Sequence, residues 1–538
     1  MRKSPGIKSS MTEAQFSALL STSPKTEWYG YGCVVTVSSA ISLPAKNWKF
    51  RGFKFVRSGS LGTSDTMLAL GSTSTGISNS AFTSPISVGS VSKGATTLTG
   101  TGIKTGWYAL YGSDTVTHTS GSPTYAVKGQ LVHVSSVSGS TATLSSPVFM
   151  AIGTGNIVPW TPMLNVEFED CTFDGFNGAS AGVQVCLHVG PSVNTKLLRC
   201  KFLGFTDSGS RVDFSIGVVT NGCYYRTDNT SSGRYCHQAR RTICSVHSNN
   251  WYDVARWGAT GQGVYNTVHM DNWYYYGLDA GDHGCGGTDN VVKNAQLSAP
   301  ASFGGINIGN PAFLAGGSAT IRDCSIINPA STTTDTPIIV YPNGSVTTYN
   351  TTVRQLKLQS YPQGSSGYGS AQGPATVTLG TGTLVERFAG GGEVIQCLYN
   401  GTVNAAGSKL TSLIIEQGAV VSGSTFGGVV RLRGISGSFS VRVQGSIKTT
   451  YNNASVPCIE YDSGTMDLNV ESGLFETTQS SASSFDIIRI MSGATALNHK
   501  GITTGAIASV KTSASTVAAT SAQINDGTGG AATVTPIS

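Results

Sequence analysis

The chain has 538 residues, 68 of them glycine, with 39% hydrophobic residues, only 12% charged residues and a formal net charge of +6. This is too apolar and too sparsely charged for a disordered chain, and it lacks the Ala, Glu, Lys, Leu and Arg dominance of long helical proteins. No Lys/Arg run exceeds two residues and no apolar run reaches the length of a membrane span, so neither nucleic-acid binding nor membrane insertion is expected.

Arg2 and Lys3 are not followed by an apolar stretch, so no secretory signal is expected. Thr12 and Gln15 have the spacing of a capping box, and Phe16, Leu19 and Leu20 form an apolar stripe, which together predict a short helix. Alternation over Val34–Val37, Trp48–Phe50 and Phe53–Val56 predicts half-buried strands. Residues 85–150 read as a small β domain. Leu131–Val134 and Thr141–Leu144 flank the turn Ser138-Gly139 as a hairpin, with further strands at Ala95–Thr99 and Trp107–Leu110.

From Leu164 a pattern recurs: Asp170-Cys171-Thr172-Phe173, Arg199-Cys200-Lys201-Phe202, Asn249-Asn250-Trp251-Tyr252, Asp271-Asn272-Trp273-Tyr274, Lys293-Asn294 and Asp323-Cys324-Ser325-Ile326. Successive members are spaced by roughly 20–30 residues, the span of one turn of a repeat architecture. The step from Cys200 to Asn250 is about twice as long and is read as two turns. Inexact repeats of this length without helical signals predict stacked coils of β-strands, each burying its inner face against its neighbours. The 11 cysteines are scattered and include no CxxC pair, so they read as reduced, mostly buried small side chains. The Asn-x-Ser/Thr triplets at Asn229, Asn343, Asn350, Asn400 and Asn453 read as chance matches in a Ser/Thr-rich chain.

The order of a capped helix, a β unit running from "KGATTLTGTG" to "TATLSSPV", and coils such as "NVEFEDCTFDGF" and "ATIRDCSIINP" resembles the right-handed parallel β-helix tailspikes of bacteriophages, within the pectate-lyase-like group. The resemblance covers about residues 10–360. It implies an all-β protein: cap helix and first strands over 1–84, the small β domain at 85–150, and the central parallel β-helix with a glycan site at 151–375. A continued β-helix or β-rich region would follow over 376–505, then a terminal β segment or trimerisation tail over 506–538. It further implies a homotrimer of the phage virion, made in the host cytoplasm and joined to other tail or baseplate proteins. Such a protein binds, and often cleaves, bacterial surface polysaccharide.

Residues 250–290 hold eight Trp/Tyr and five Asp. Flat aromatic faces stack on the C–H faces of sugar rings and carboxylates accept from hydroxyls, so this window is the expected glycan site. Trp251, Arg256, Trp257, Trp273, Tyr275 and His283 are the expected substrate-binding residues, and alternation turns about half of Trp273–Tyr276 inward. Glycoside hydrolysis needs two carboxyl groups. Asp279 and Asp282 share a glycine-flanked loop, and Asp253, about one coil earlier in the chain, is expected to stack alongside Asp279. Several tailspike endoglycosidases have this layout, and the resemblance implies that Asp253, Asp279 and Asp282 are the catalytic group. A polysaccharide lyase would draw on Arg240-Arg241 or Tyr274–Tyr276, and a non-catalytic receptor-binding or structural tail protein would use the same scaffold without cleavage. The GxSxG string at Gly178–Gly182 lacks the following helix of a nucleophile elbow. No Walker A, HExxH or EF-hand motif is present, so no metal or organic cofactor is implied.

Overall fold

The computed structural model describes residues 3–59, 61–71, 84–112, 115–116, 125–126, 129–177, 182–227, 235–253, 257–274, 278–279, 290–297, 306–308, 317–326, 338–340, 344–353, 356–359, 375–385, 395–398, 410–415, 420–423, 430–432, 438–449, 457–471, 473–477, 486–502, 508–513, 515–520, 524–526, 528–529 and 531–536. The chain divides into two compact units, 1–291 and 292–538.

In the first unit the recurring residue pair forms a corner. Its first member holds a left-handed backbone, with φ of 53° at Asp170, 51° at Arg199, 54° at Asn249 and 56° at Asp271. Asn and Asp tolerate that region better than other side chains. Arg199 is the exception, and Asp170 and Glu169 bind its guanidinium. The second member is buried at Cys171, Cys200, Asn250 and Asn272, where it serves the backbone of the preceding coil. Cys200 Sγ donates to Phe168 O at 3.4 Å, and Asn272 Oδ1 accepts from Asn250 N at 2.8 Å. The long step from Cys200 to Asn250 is indeed two coils. Gly222 (φ 65°) and buried Cys223 supply the missing corner.

A second left-handed corner lies a short, fixed step before each of these, at Asn165, Asn194, Gly217, Cys244 and Asn266. Short strands run between the corners: Glu167–Glu169, Lys196–Leu198, Val219–Asn221, Val246–Ser248 and Val268–Met270. Past the second corner come Thr172–Asp174, Lys201–Leu203, Tyr224–Arg226, Trp251–Asp253 and Trp273–Tyr274. The third side holds Val183–Val189, Phe205–Asp213, Tyr235–Ile243, Trp257–Tyr265 and Leu278–Asp279. Each strand pairs in parallel with its counterpart one coil on. This is the expected right-handed parallel β-helix, the hand that parallel crossovers take.

Alternation sends every second side chain inward. Phe55, Phe173, Phe202, Tyr225, Tyr252 and Tyr274 form one interior stack with ring centroids 4.7–5.2 Å apart. Such pairs add about 0.5–1.5 kcal/mol each beyond the area they bury. The helix Glu13–Thr22 sits at the start of this interior, with Phe16 packed 5.5–5.9 Å from Phe50, Phe53 and Phe55. Its capping box is formed: Thr12 Oγ1 accepts from Gln15 N at 3.2 Å and Gln15 Oε1 from Thr12 N at 3.1 Å.

The small β domain is a six-stranded antiparallel sheet in the order Ile86–Val91, Ile152–Pro159, Gly106–Gly112, Gly129–Ser138, Thr141–Leu144, Thr97–Thr99. Its apolar core, including Leu110, Val132, Val134 and Ile157, closes over Ile243 and Tyr265 of the third side.

The second unit repeats the scheme. One row of parallel strands runs Ser318–Arg322, Ser345–Tyr349, Ala375–Leu379, Leu410–Ile415, Ser438–Val443, Gly464–Val470, Ala494–Lys500 and Thr533–Pro536. Corners recur at Asn294, Asp323, Asn350 and Gly382, each followed by a buried residue: Ala295, Cys324, Thr351 and Thr383. The echo read at Lys293-Asn294 is therefore corrected by one position, since Asn294 is the corner (φ 47°) and Ala295 the buried member. The nine described cysteines are unpaired, and all but Cys244 are buried.

Candidate functional site

The outward side chains of the second strand row form two parallel columns. Thr172, Lys201, Tyr224, Trp251 and Trp273 stand in one, and Asp174, Leu203, Arg226 and Asp253 in the other. Successive members sit about 4.8 Å apart, the spacing of paired strands, so each column is a track along the helix axis. Trp251 is 48% exposed and its ring stacks on Trp273 at 4.2 Å and 28°, which makes a broad aromatic platform. Below it, Asp174, Phe176, Lys201, Leu203, Tyr224 and Arg226 line a groove of about 600 Å³.

Tyr224 connects platform and groove. Its hydroxyl donates to Asp253 Oδ2 at 3.0 Å. Burial, then that carboxylate, raises the Tyr224 pKa, while the Arg226 guanidinium beside it works in the opposite direction. Asp174 is paired with Lys54 Nζ at 3.7 Å.

The sequence-predicted residues divide accordingly. Trp251, Trp273 and Asp253 meet on this outer face. Tyr252 and Tyr274, from the same aromatic window, belong to the interior stack, as alternation requires. Arg256, Tyr275, Asp282 and His283 lie outside the described residues, as do the side chains of Trp257 and Asp279.

Asp253 does not stand alongside Asp279. The strand Leu278–Asp279 is on the third side, where its backbone partners are Ala259 and Thr260, while Asp253 pairs with Arg226 in the second row. The local coil brings Tyr274 back opposite Tyr252, so the longer step from Asp253 to Asp279 overshoots one coil and ends on the third side. The row that leads to Asp279 runs His188, Arg211, Gln238, Thr260. Its first members belong to a buried polar cluster: His188 Nε2 lies 2.7 Å from Asp213 Oδ2, and Arg211 Nε donates to Gln238 Oε1 at 2.7 Å. Burial opposes ionisation of Asp213, but His188, Arg240 and Arg211 outweigh it and hold its carboxyl below the usual range. Arg240 is pushed down to about 10 by burial.

Of the residues expected to serve a lyase, Tyr275 and Tyr276 lie outside the described residues, and two of the others turn away from the outer wall. Arg241 is 3% exposed and lies over the Phe214 ring at 4.6 Å, and Tyr274 is interior, so neither reaches a groove on the outer wall.

His269 is interior as well. It stacks on His247 at 4.9 Å, and His247 on His237 at 4.7 Å. Ser210 Oγ lies 2.8 Å from His237 Nδ1 and Thr220 Oγ1 2.9 Å from His247 Nδ1. His269 Nδ1 has no hydrogen-bond partner among the described residues. Burial pushes His237 down to about 3, His269 to about 4 and His247 well below its ordinary value.

Sequence reasoning missed the groove itself. Asp174, Lys201, Leu203, Tyr224 and Arg226 come from three coils, none inside the aromatic-rich window. Aligning each coil on its corner finds them, since they occupy the first and third positions after the buried corner residue.

No family model matches the chain, and no curated protein does. Among solved structures it is similar to the tailspike protein gp49 from Pseudomonas phage LKA1, at 12% identity over 93% of this chain and 76% of that one, with a TM-score of 0.43. It is similar to the Pseudomonas phage phi297 tailspike gp61 at 12% identity, 92% and 74% coverage and a TM-score of 0.43. It is also similar to the Gp54 tailspike of Acinetobacter baumannii bacteriophage AP22, a structure in complex with capsular saccharide, at 9% identity, 93% and 79% coverage and a TM-score of 0.35.

Proposed function

We propose that this chain is a phage tailspike that binds a bacterial surface polysaccharide, capsule or lipopolysaccharide O-antigen, along the second-row face and cuts it as an endoglycosidase. The observation that carries the reading is the stacked Trp251–Trp273 platform beside the groove, with Asp253 at its edge. Trp251, 48% exposed, is costly to leave in water, and its apolar surface suits the C–H face of a sugar ring. Columns along the axis suit a linear polymer. Asp279 and Asp282 supply the two carboxyl groups of the cleavage, one of them kept protonated by the other's charge. Asp253, accepting from Tyr224 on the second-row face, holds sugar hydroxyls at the edge of the platform. The homotrimer and the attachment to other tail proteins belong to the same proposal.

The test is incubation with purified host capsule or lipopolysaccharide, scoring new reducing ends and ultraviolet absorbance from unsaturated sugars. Reducing ends without that absorbance are expected. Asp279→Asn and Asp282→Asn should each lower the rate by about 10²–10⁴ while glycan binding persists. Full activity in both variants refutes the catalytic assignment, unsaturated products refute hydrolysis, and binding without cleavage leaves a receptor-binding spike.

A further inference from the structure

The charges around the groove do not balance. Asp174 is engaged by Lys54, and Asp253 accepts from Tyr224 with Arg226 as its backbone neighbour in the preceding coil. Lys201 also lines the groove. It is exposed, and no ion pair or hydrogen bond engages its ammonium among the described residues. Its column neighbours are Thr172 on one side and Tyr224 on the other, both uncharged. Arg226 is diagonal to it, one strand on and two residues along, a Cβ separation of about 7–8 Å that two long side chains close easily.

The floor between these cations is apolar, made by Leu203 and Phe176. A cation over an apolar floor binds an anion better than the same cation in open water, because the local dielectric is lower. Resting on the proposed function, we infer that the polysaccharide is acidic: it carries a carboxylate, as in a uronic acid, and Lys201 binds that carboxylate while a neighbouring ring lies on Trp251. Lys201 and Trp251 are two strands apart in one column, roughly 10 Å along the axis. Two successive sugar rings span that length, so the stacked ring and the charged one are adjacent units of the polymer. Arg226 borders the same carboxylate from the second column. Lys201 is thus a specificity-determining residue, separate from the acids assigned to cleavage.

The test uses the full chain and a panel of bacterial capsules and O-polysaccharides. Each acidic member is measured native and after chemical reduction of its carboxylates to alcohols. Native acidic polysaccharides should bind. Carboxyl reduction should weaken binding about tenfold, the scale of a lost charge-assisted contact. Lys201→Thr, which copies Thr172 one coil earlier, should weaken native binding by a similar factor and leave binding of the reduced polymer unchanged. Lys201→Arg should restore native binding. Trp251→Ala should weaken both polymers. Neutral polymers binding as well as acidic ones, or Lys201→Thr with wild-type affinity while Trp251→Ala abolishes binding, overturns the acidic-sugar inference and spares the glycan site. Trp251→Ala without effect on any polymer, or no binding across the panel, overturns the site and the inference together.

Discussion

The interior histidines make the first unit sensitive to acid in a way that can be calculated. His237, His247 and His269 are stacked inside the coil with folded pKa values pushed down by burial, to about 3 and about 4 for His237 and His269 and well below normal for His247. In the unfolded chain each titrates near 6.5. Between those values the unfolded state binds more protons, so stability is complete above about pH 6.5 and falls as the pH drops. At pH 5 His237 and His269 each contribute a loss of roughly 2 kcal/mol, and His247 adds to it in the same direction. Asp213, whose depressed carboxyl stabilises the fold above its unfolded value, loses its contribution only below about pH 4. The window from pH 8 to pH 5 therefore isolates histidines. The perturbation is His269→Leu, which copies Leu197 in the same interior column and removes a ring nitrogen without a partner. The urea midpoint and unfolding rate of the full chain, followed by tryptophan fluorescence at pH 8, 6.5 and 5, give the readout. The variant should match or exceed wild type at pH 8 and gain about 2 kcal/mol over it at pH 5. Equal pH slopes in the two proteins, or a wild type equally stable at pH 8 and pH 5, would refute the reasoning.

Phe202→Ala removes a ring from the middle of the interior stack, between Phe173 and Tyr225, and should cost about 3–5 kcal/mol by chemical denaturation. Thr12→Ala removes the side-chain half of the capping box, leaving Gln15 N without its acceptor while the backbone N–H of residue 12 still donates to Gln15, and should cost about 1 kcal/mol, with Thr12→Ser restoring it. Tyr224→Phe removes the hydroxyl that holds Asp253. It should leave the fold intact in circular dichroism and raise the KM for the polysaccharide several-fold, because the Asp253 carboxylate loses the contact that fixes its position.

The coil was legible because its corner makes two opposite demands on adjacent residues. One must accept a left-handed backbone and the next must be small, buried and able to serve the neighbouring coil. Asp170-Cys171, Arg199-Cys200, Asp271-Asn272 and Asp323-Cys324 meet both. Asn satisfies either demand, which is why the register slipped at Lys293-Asn294. Glycine satisfies the first without leaving a side chain to recognise, which is why Gly222-Cys223 went unseen. Alternation anticipated that part of the aromatic run Trp273–Tyr276 turns inward, and of its described members Tyr274 is interior while Trp273 is not. The spacing of Asp253 and Asp279 misled because coil length varies, so a fixed count along the chain does not return to the same face. The groove was illegible to a search for dense windows, because its walls come from residues one coil apart and few per coil.

The invariance of the two corners has a practical consequence. Their separation is the same in the five successive coils from Asn165 and Asp170 to Asn266 and Asp271. The path from one coil's second corner to the next coil's first is not: it is longest from Asp170 to Asn194 and shortest from Asn249 to Asn266. All length variation is therefore absorbed on the long return path. A peptide grafted there would leave the stacking of the short strands undisturbed, whereas a single inserted residue between Asn194 and Arg199 would rotate every later side chain of that coil out of its column. Diversification by insertion is open along one flank of the spiral and closed along the other.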